Sequence, residues 1–375
     1  MADLSPATSA GLGASLVDRP VRTLVRSRRW FSGDAVLAGC SRIGAFSVVA
    51  MLAVLLSVLT FAAWPSIETF GWKFLVTSQW RPNELNVPAR DSAGHVLIED
   101  GEVVMNTMPP VFGALPVIYG TAVSSLLAIL FAVPLSFGAA IFLVRLSPRW
   151  LAAPVSFLVE FLAAIPSVAY GMWGLFVLAP FLQRCVEPAI RAGIGWIPGV
   201  DTWLFTETAM RAGETVTRNL PLTGRDMFCG GLVLAIMILP IITAISRDVL
   251  KTVPSAQIEG TLALGATWWQ SSWEMLHYSR SALFGAVMLG LARAAGETMA
   301  ITMVIGNNNQ IHRSVFAPAQ SMSSLLANEF AEASSSLHRA ALTEVALILL
   351  VMSLLFNIVA RWLVVGGNSR SAAAH

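Results

Sequence analysis

Residues Ser281–Ile311 read SALFGAVMLGLARAAGETMAITMVIGNNNQI, and Arg293 and Glu297 are the only charged side chains among them. A charged side chain near the middle of a bilayer is costly, so it is rarely kept without a partner or a transported ion. In a continuous helix the i, i+4 spacing lets the two heads neutralise each other, while the guanidinium keeps spare donors for an anion. The stretch therefore predicts a transmembrane helix on a solute pathway.

The composition of the whole chain supports a membrane protein. Its 375 residues have a mean hydropathy of +0.68, with 55% hydrophobic and only 12% charged residues, which is outside the range of soluble globular domains. Six charge-poor runs are long enough to span a bilayer; they are Ile43 to Trp64, Leu115 to Val144, Pro154 to Leu182, Met227 to Ser246, Ser281 to Gly306 and Ala340 to Leu363. We therefore predict an all-α polytopic membrane protein with six transmembrane helices.

The distribution of basic residues predicts the orientation. The N-terminal tail (1–42), the loops on its side of the membrane and the C-terminal tail (367–375) hold more basic than acidic residues, and the opposite side holds more acidic ones. Both termini are therefore expected in the cytoplasm, and the first helix (43–64) is expected to be an anchor rather than a cleaved signal. The arginines between Arg19 and Arg29 suit anionic headgroups better than nucleic acid.

Two long segments are predicted on the outer side. In the segment 65–114, Val96–Glu99 and Glu102–Met105 flank Asp100-Gly101, a pattern typical of a tight hairpin. The segment 183–226 mixes acidic, basic, Pro and Gly residues, and predicts short surface helices and turns. Cys185 and Cys229 lie at its two ends, where a disulfide is permitted but cannot be derived from spacing.

Other polar positions admit two interpretations each. Glu160 on the third predicted helix is either a gate contact near the inner mouth or a satisfied helix-packing carboxylate, and Glu344 is expected to be solvated at the outer interface. Small residues at i+4 spacing in the fifth helix predict close helix packing; they are Ala282, Ala286, Gly290, Ala294, Thr298 and Thr302. The five histidines are too scattered for a metal site, so none is expected.

The inner loop 247–280 is predicted to contain a short helix along the membrane surface. Ser255 is expected to cap it, Glu259 lies near its first turn, and Gly265 is expected to end it. Its small and apolar residues Gly260, Ala263 and Leu264 suit a socket on another protein better than water.

This loop carries a resemblance to a known family. Glu259–Thr267, EGTLALGAT, resembles the EAA loop of ABC importer permeases, which in that family is the coupling helix that docks on the cytoplasmic ATPase. Three further segments, FGALPVIYGT (112–121), EFLAAIPSVAYG (160–171) and GLARAAGETMAITMVIGN (290–307), are similar to the PstC-type permeases of phosphate importers. The resemblance runs from about residue 69 to 363.

The resemblance implies a fold, partners and a location. It implies the type I ABC importer permease fold, with a permease core over 115–366 and a small periplasmic hairpin insertion. The implied partners are a homologous PstA-type permease, two PstB-type ATPase copies and a PstS-type periplasmic phosphate-binding protein, in a bacterial inner membrane. The chain has no Gly-x4-Gly-Lys-Ser/Thr loop. It is therefore expected to be no enzyme and to hold no cofactor, with ATP and magnesium bound by the ATPase.

The expected role of the two central charges follows from their chemistry. Arg293 would meet phosphate by bidentate hydrogen bonds, and Glu297 would accept one from the phosphate's own proton, which sulfate lacks. The alternative for the pair is an ion pair that only fixes helix packing. Alternatives for the chain are a permease for molybdate, tungstate or sulfate, an ion-driven secondary transporter, and a membrane scaffold without transport.

Overall fold

The computed structural model describes residues 33–88, 98–99, 102–103, 105–197, 199, 201, 204–211 and 214–372. Contacts divide the chain into two units, residues 1–55 and 56–375. Of the predicted N-terminal tail (1–42), residues 1–32 lie outside the described part.

Most of the described chain is helical. The helices are α1 (Gly33–Phe70), α2 (Lys73–Val76), α3 (Leu115–Ile141), α4 (Arg149–Ala163), α5 (Ser167–Trp173), α6 (Ala179–Phe181), α7 (Glu187–Ile194), α8 (Met227–Lys251), α9 (Ser255–Ala263), α10 (Trp268–Tyr278), α11 (Arg280–Ala295), α12 (Met299–Val304), α13 (Met322–Glu329) and α14 (Ser336–Ala372). Three π-helical turns, Phe142–Leu146, Gly174–Leu178 and Leu182–Val186, extend α3 and join α5 to α7.

The membrane-spanning helices follow the predicted runs in four cases. Val36–Phe70, Leu115–Leu146, Met227–Lys251 and Ser336–Val359 are single helices long and apolar enough to cross a bilayer, and a bent pair makes a fifth candidate. Among the described residues the predicted count of six is therefore not confirmed. The bounds also differ at the ends, since α1 begins at Gly33 and α14 continues to Ala372, into the predicted C-terminal tail.

The third predicted span is a broken helix rather than a continuous one. Trp150–Ala163 and Ser167–Ile194 meet at an angle of 90°. The break lies at Pro166, which has no N–H to donate and disfavours helical geometry in the residue before it. The carbonyl of Leu162, four residues earlier, is satisfied by the hydroxyl of Tyr170, which donates to it at 2.8 Å. The prediction of one span from Pro154 to Leu182 did not include this right-angle turn.

The fifth predicted span is also interrupted. Helix α11 ends at Ala295 and α12 begins at Met299, so the predicted continuous helix through Arg293 and Glu297 is wrong. Gly296 closes the first helix, and the side chain of Glu297 accepts a hydrogen bond from the backbone N–H of Ala300 at 3.3 Å. A carboxylate used in this way stabilises the start of a new helix, so the two charged residues belong to different elements.

Short strands lie in the two outer segments. In the first, β1 (Leu85–Pro88) pairs antiparallel with β4 (Met105–Met108), and β2 (Ile98–Glu99) pairs with β3 (Glu102–Val103). The second pairing has the register that a two-residue turn requires, while the turn residues 100–101 lie outside the described part. In the second segment, β5 (Thr206–Arg211) pairs with β6 (Glu214–Asn219), a hairpin where surface helices and turns were predicted.

The main core lies between α3, α8 and α12, the second helix of the interrupted fifth span. Val233, Leu234 and Ile238 of α8 are at most 1% exposed and pack with Ile301 and Val304 of α12. The predicted ridge of small residues serves this packing, since a Cβ atom on Gly290 would lie 2.7 Å from the side chain of Ile242. The ridge therefore brings α11 close to α8 of the same chain.

Candidate functional site

A cavity of about 500 Å³ opens on the side of the bundle where α8, α11 and α14 contribute side chains. It is lined by Ile241, Leu289, Ala292, Arg293, Gly296, Glu297 and Asn357. Its apolar walls come from helices, while its polar groups are an arginine, a carboxylate and an amide. Both charged residues singled out from the sequence therefore face one cavity, although they do not share a helix.

Arg293 lies in the last turn of α11, and its side chain is exposed. Among the described residues, no carboxylate forms an ion pair with it and no group accepts a hydrogen bond from its guanidinium. The predicted ion pair with Glu297 is therefore absent. A guanidinium presents five N–H donors in a planar fork, and all of them remain available to a molecule in the cavity.

Glu297 is held more tightly than Arg293. It is 9% exposed, and its Oε1 atom accepts the hydrogen bond from Ala300 that stabilises the start of α12. Its backbone carbonyl accepts a second hydrogen bond, from the hydroxyl of Ser323 at 2.6 Å. These two contacts fix the carboxylate on the cavity wall, and Oε2 is the oxygen that remains for another donor.

Glu160 lies elsewhere. Its carboxylate pairs with the guanidinium of Arg247 at 2.9 Å, and Arg247 also pairs with Asp248 at 2.8 Å. The ion pair joins α4 to the C-terminal end of α8, and Glu160 does not line the cavity of Arg293. Arg247 is the partner that the sequence did not reveal, since a basic residue at the inner end of a span is common without any partner.

The predicted coupling helix is present as α9, and it has no buried residue. Ser255 is its first residue, but no side chain caps it, because Pro254 occupies the capping position. Gly265 follows with a φ of +86°, a left-handed conformation that glycine adopts without strain and that ends the helix. Glu259, Gly260, Ala263 and Leu264 are all exposed, with Leu264 at 91%.

Cys185 is exposed and Cys229 is buried, and both are free thiols, so the disulfide that the sequence left open is not formed. Glu344 was expected to be solvated, but it is 7% exposed, because neighbouring residues of α14 pack into an apolar cluster with Phe112 and Val117.

A pair of buried carboxyl groups, Asp226 and Glu187, lies at the N-terminal end of α8. Asp226 is fully buried, precedes the helix, and accepts a hydrogen bond from the backbone N–H of Cys229 at 2.8 Å. Burial raises the pKa of Asp226 to about 8; the hydrogen bond from Cys229 opposes this shift, and the neighbouring carboxyl of Glu187 adds to it. Asp226 is therefore protonated over a pH range in which an exposed carboxyl is charged.

Residues 132–365, from the middle of α3 to α14, match the family described as binding-protein-dependent transport system inner membrane component. The chain belongs to this family. The match includes the cavity, the Glu160–Arg247 pair and the exposed helix α9, so all three are features of a transport component of the inner membrane. This family membership excludes the two alternatives of an ion-driven secondary transporter and a scaffold without transport.

Characterised relatives are similar over nearly the whole chain. A phosphate transport system permease protein PstC from Mesorhizobium japonicum is 39% identical over 92% of this chain and 94% of its own length. A PstC protein from Pasteurella multocida is also 39% identical, over 86% of this chain and 89% of its own. A solved structure titled as an inward-facing conformation of the MetNI methionine ABC transporter has a TM-score of 0.45 and 15% identity, covering 68% of this chain and 94% of that one.

Proposed function

We propose that this protein is the transmembrane permease subunit of an ATP-driven importer that carries inorganic phosphate from the periplasm to the cytoplasm. The observation that carries the proposal is the guanidinium of Arg293, which faces a cavity of about 500 Å³ without any protein partner among the described residues. The similarity to PstC proteins supports the choice of phosphate.

Arg293 binds the anion during its passage. A cation inside a membrane-spanning bundle is costly unless something compensates its charge. Phosphate compensates it with two oxygens in the plane of the guanidinium fork, the bidentate geometry that Arg forms and Lys does not. Because no carboxylate of the described residues forms an ion pair with Arg293, the compensating charge arrives with the substrate and leaves with it.

Glu297 selects for a protonated anion. With Oε1 occupied by the N–H of Ala300, Oε2 accepts a hydrogen bond from the hydroxyl of hydrogen phosphate. Sulfate has no proton at neutral pH, so its oxygens would face the carboxylate without a hydrogen bond between them. A buried carboxylate facing an unprotonated anion is repulsive, so this arrangement disfavours sulfate.

Glu160 contributes to the pathway only indirectly. Its pairing with Arg247 joins α4 to α8 near the inner mouth, which holds the wall of the pathway in place. The interpretation of Glu160 as a packing carboxylate is thus preferred to that of a gate contact.

The remaining parts of the importer are supplied by other subunits. The cavity is open on one side, so a homologous PstA-type permease would complete its wall. Helix α9 has no buried residue and exposes Leu264 almost fully, so it suits the surface of a cytoplasmic PstB-type ATPase, of which two copies hydrolyse ATP. A PstS-type binding protein delivers phosphate from the periplasm, and both termini of the permease lie in the cytoplasm.

Reconstitution of the purified four-component complex tests the proposal. Labelled phosphate is expected to accumulate inside proteoliposomes only with ATP and the binding protein present, and excess sulfate or molybdate is expected not to compete. If sulfate or molybdate accumulates instead, the alternative oxyanion is the substrate. If labelled phosphate equilibrates without ATP, the role in an ATP-driven importer is wrong.

A further inference from the structure

Asn357 is the third polar residue of the cavity, and the charge pattern of the sequence gives no reason to select it. It lies on α14 in the run Ala346–Ile358, which has only Ser353 as another polar side chain. Its side chain is exposed in this chain and lines the cavity with Arg293 and Glu297. Polar side chains in membrane-spanning helices face the protein interior or a water-filled cavity rather than lipid.

The orientation of the Asn357 amide is set by one hydrogen bond. Its Nδ2 atom donates to the backbone carbonyl of Ser353 at 2.9 Å. Only the nitrogen of an amide can donate to a carbonyl, so this contact directs Nδ2 towards Ser353 and distinguishes it from Oδ1. The Oδ1 atom is then left as an acceptor beside the cavity.

The three polar groups of the cavity have complementary chemistry. Arg293 offers donors and a positive charge, Glu297 offers one negatively charged acceptor, and Asn357 offers a neutral acceptor. A second carboxylate in the place of Asn357 would make the net charge of the three residues negative and repel an anion. A neutral acceptor recognises the hydroxyl of an anion without that repulsion.

We infer that Asn357 is a specificity-determining contact of the pathway, and that its Oδ1 accepts a hydrogen bond from a hydroxyl of a protonated tetrahedral oxyanion held by Arg293. The inference deepens the proposed function and rests on it. It assigns the recognition of the anion's hydroxyl groups to two helices, with Glu297 after α11 and Asn357 on α14.

The test uses two variants, Asn357→Leu and Asn357→Gln, in the complete importer with labelled inorganic phosphate. Asn357→Leu keeps the size of the side chain and removes its polar atoms, so uptake is expected to fall about tenfold, the effect of losing a hydrogen bond to a charged ligand. Asn357→Gln keeps the amide, and the cavity of about 500 Å³ has room for one more methylene, so uptake is expected to be largely retained.

Ser353→Ala is the matched control, one turn away on the same helix. It keeps the backbone carbonyl that orients Asn357, so uptake is expected to equal that of the parent. The inference is overturned if Asn357→Leu transports phosphate like the parent, or if Asn357→Leu and Asn357→Gln are equally impaired, since helix packing rather than the amide would then be responsible. Arg293→Lys is measured in parallel: parental uptake by Arg293→Lys contradicts the proposed function itself, whereas impaired Arg293→Lys beside parental Asn357→Leu contradicts only this inference.

Discussion

Arg293 and Arg247 are both arginines within the membrane-spanning bundle, but their surroundings are opposite. Arg247 is 7% exposed and pairs with two carboxylates, Glu160 and Asp248. Arg293 faces an open cavity and has no acidic partner among the described residues. A cation whose charge the protein already neutralises holds helices together, whereas a cation left without a partner is available to a passing anion.

Replacing Arg293 is expected to have the largest effect. In Arg293→Ala, phosphate uptake by the assembled importer should fall at least roughly 100-fold, because two charge-assisted hydrogen bonds to the anion are lost. Arg293→Lys keeps the charge but not the fork, so the loss should be about tenfold or more. Uptake of labelled phosphate into proteoliposomes measures both.

Arg280→Lys is the control for these variants, since Arg280 is the first residue of the same helix and lies outside the cavity. Its uptake should match the parent. Full activity in Arg293→Lys would show that Arg293 does not bind the anion through its guanidinium fork. The contrast between Arg293 and Arg247 would then be wrong.

Glu297→Gln is expected to change selectivity more than rate. The Gln carbonyl oxygen can still accept the hydrogen bond from Ala300, so the start of α12 is preserved. Without the negative charge, sulfate should compete with phosphate about tenfold better, since the repulsion that disfavours it is gone. Competition by unlabelled sulfate measures this, with Glu332→Gln, an exposed carboxylate after α13, as the control. Unchanged sulfate exclusion would show that Glu297 does not recognise the anion.

Glu160→Gln is expected to affect stability and leave transport nearly intact. It removes one of the two partners of Arg247, but 56% of the Glu160 side chain is exposed to solvent, so the cost should be only about 1 kcal/mol. The Tm of the detergent-purified complex should fall slightly, while uptake per assembled complex stays within about twofold of the parent. A large loss of uptake at an unchanged Tm would instead place Glu160 in the pathway.

The last expected effect concerns stability alone and lies at Asp226, a buried acid that forms no ion pair among the described residues. Its pKa of about 8 in the folded protein is above the ordinary value of 3.8, so the folded state binds the extra proton between these values. Stability contributed by this group is therefore complete below about pH 4 and is lost as the pH rises through about 8. Asp226→Asn mimics the protonated form and should flatten the pH dependence of the Tm between pH 5 and pH 8. An identical Tm profile in the parent and Asp226→Asn would contradict this.

The sequence predicted the charged residues of the site but not their arrangement. Arg293 and Glu297 stood out because the surrounding residues are uncharged. Their assignment to one helix failed because Glu297 stabilises the start of a new helix, a local contact that hydrophobic periodicity does not reveal. Asn357 was missed because a single neutral amide changes neither the charge nor the hydropathy of its span.

For the fold, the long apolar helices were predictable from the sequence, but the bend and the ion pair between helices were not. Long uniform runs such as Leu115 to Val144 correspond to single helices, because apolar length alone decides whether a segment can span the bilayer. The right-angle turn at Pro166 was not predictable, because a proline permits a bend without setting its angle. Arg247 was missed as the partner of Glu160, since the two residues are 87 positions apart in the sequence.

Helix α9 has no buried residue, and this has a consequence for the cell. A permease made in excess of the proposed ATPase partner would leave Leu264 and its neighbours as an exposed apolar surface. We expect such orphan copies to be recognised by chaperones or proteases, which would show as a shortened half-life of the permease in cells that lack the ATPase. The cell would then need to make the permease and the ATPase in matching amounts, because α9 is left exposed without its partner.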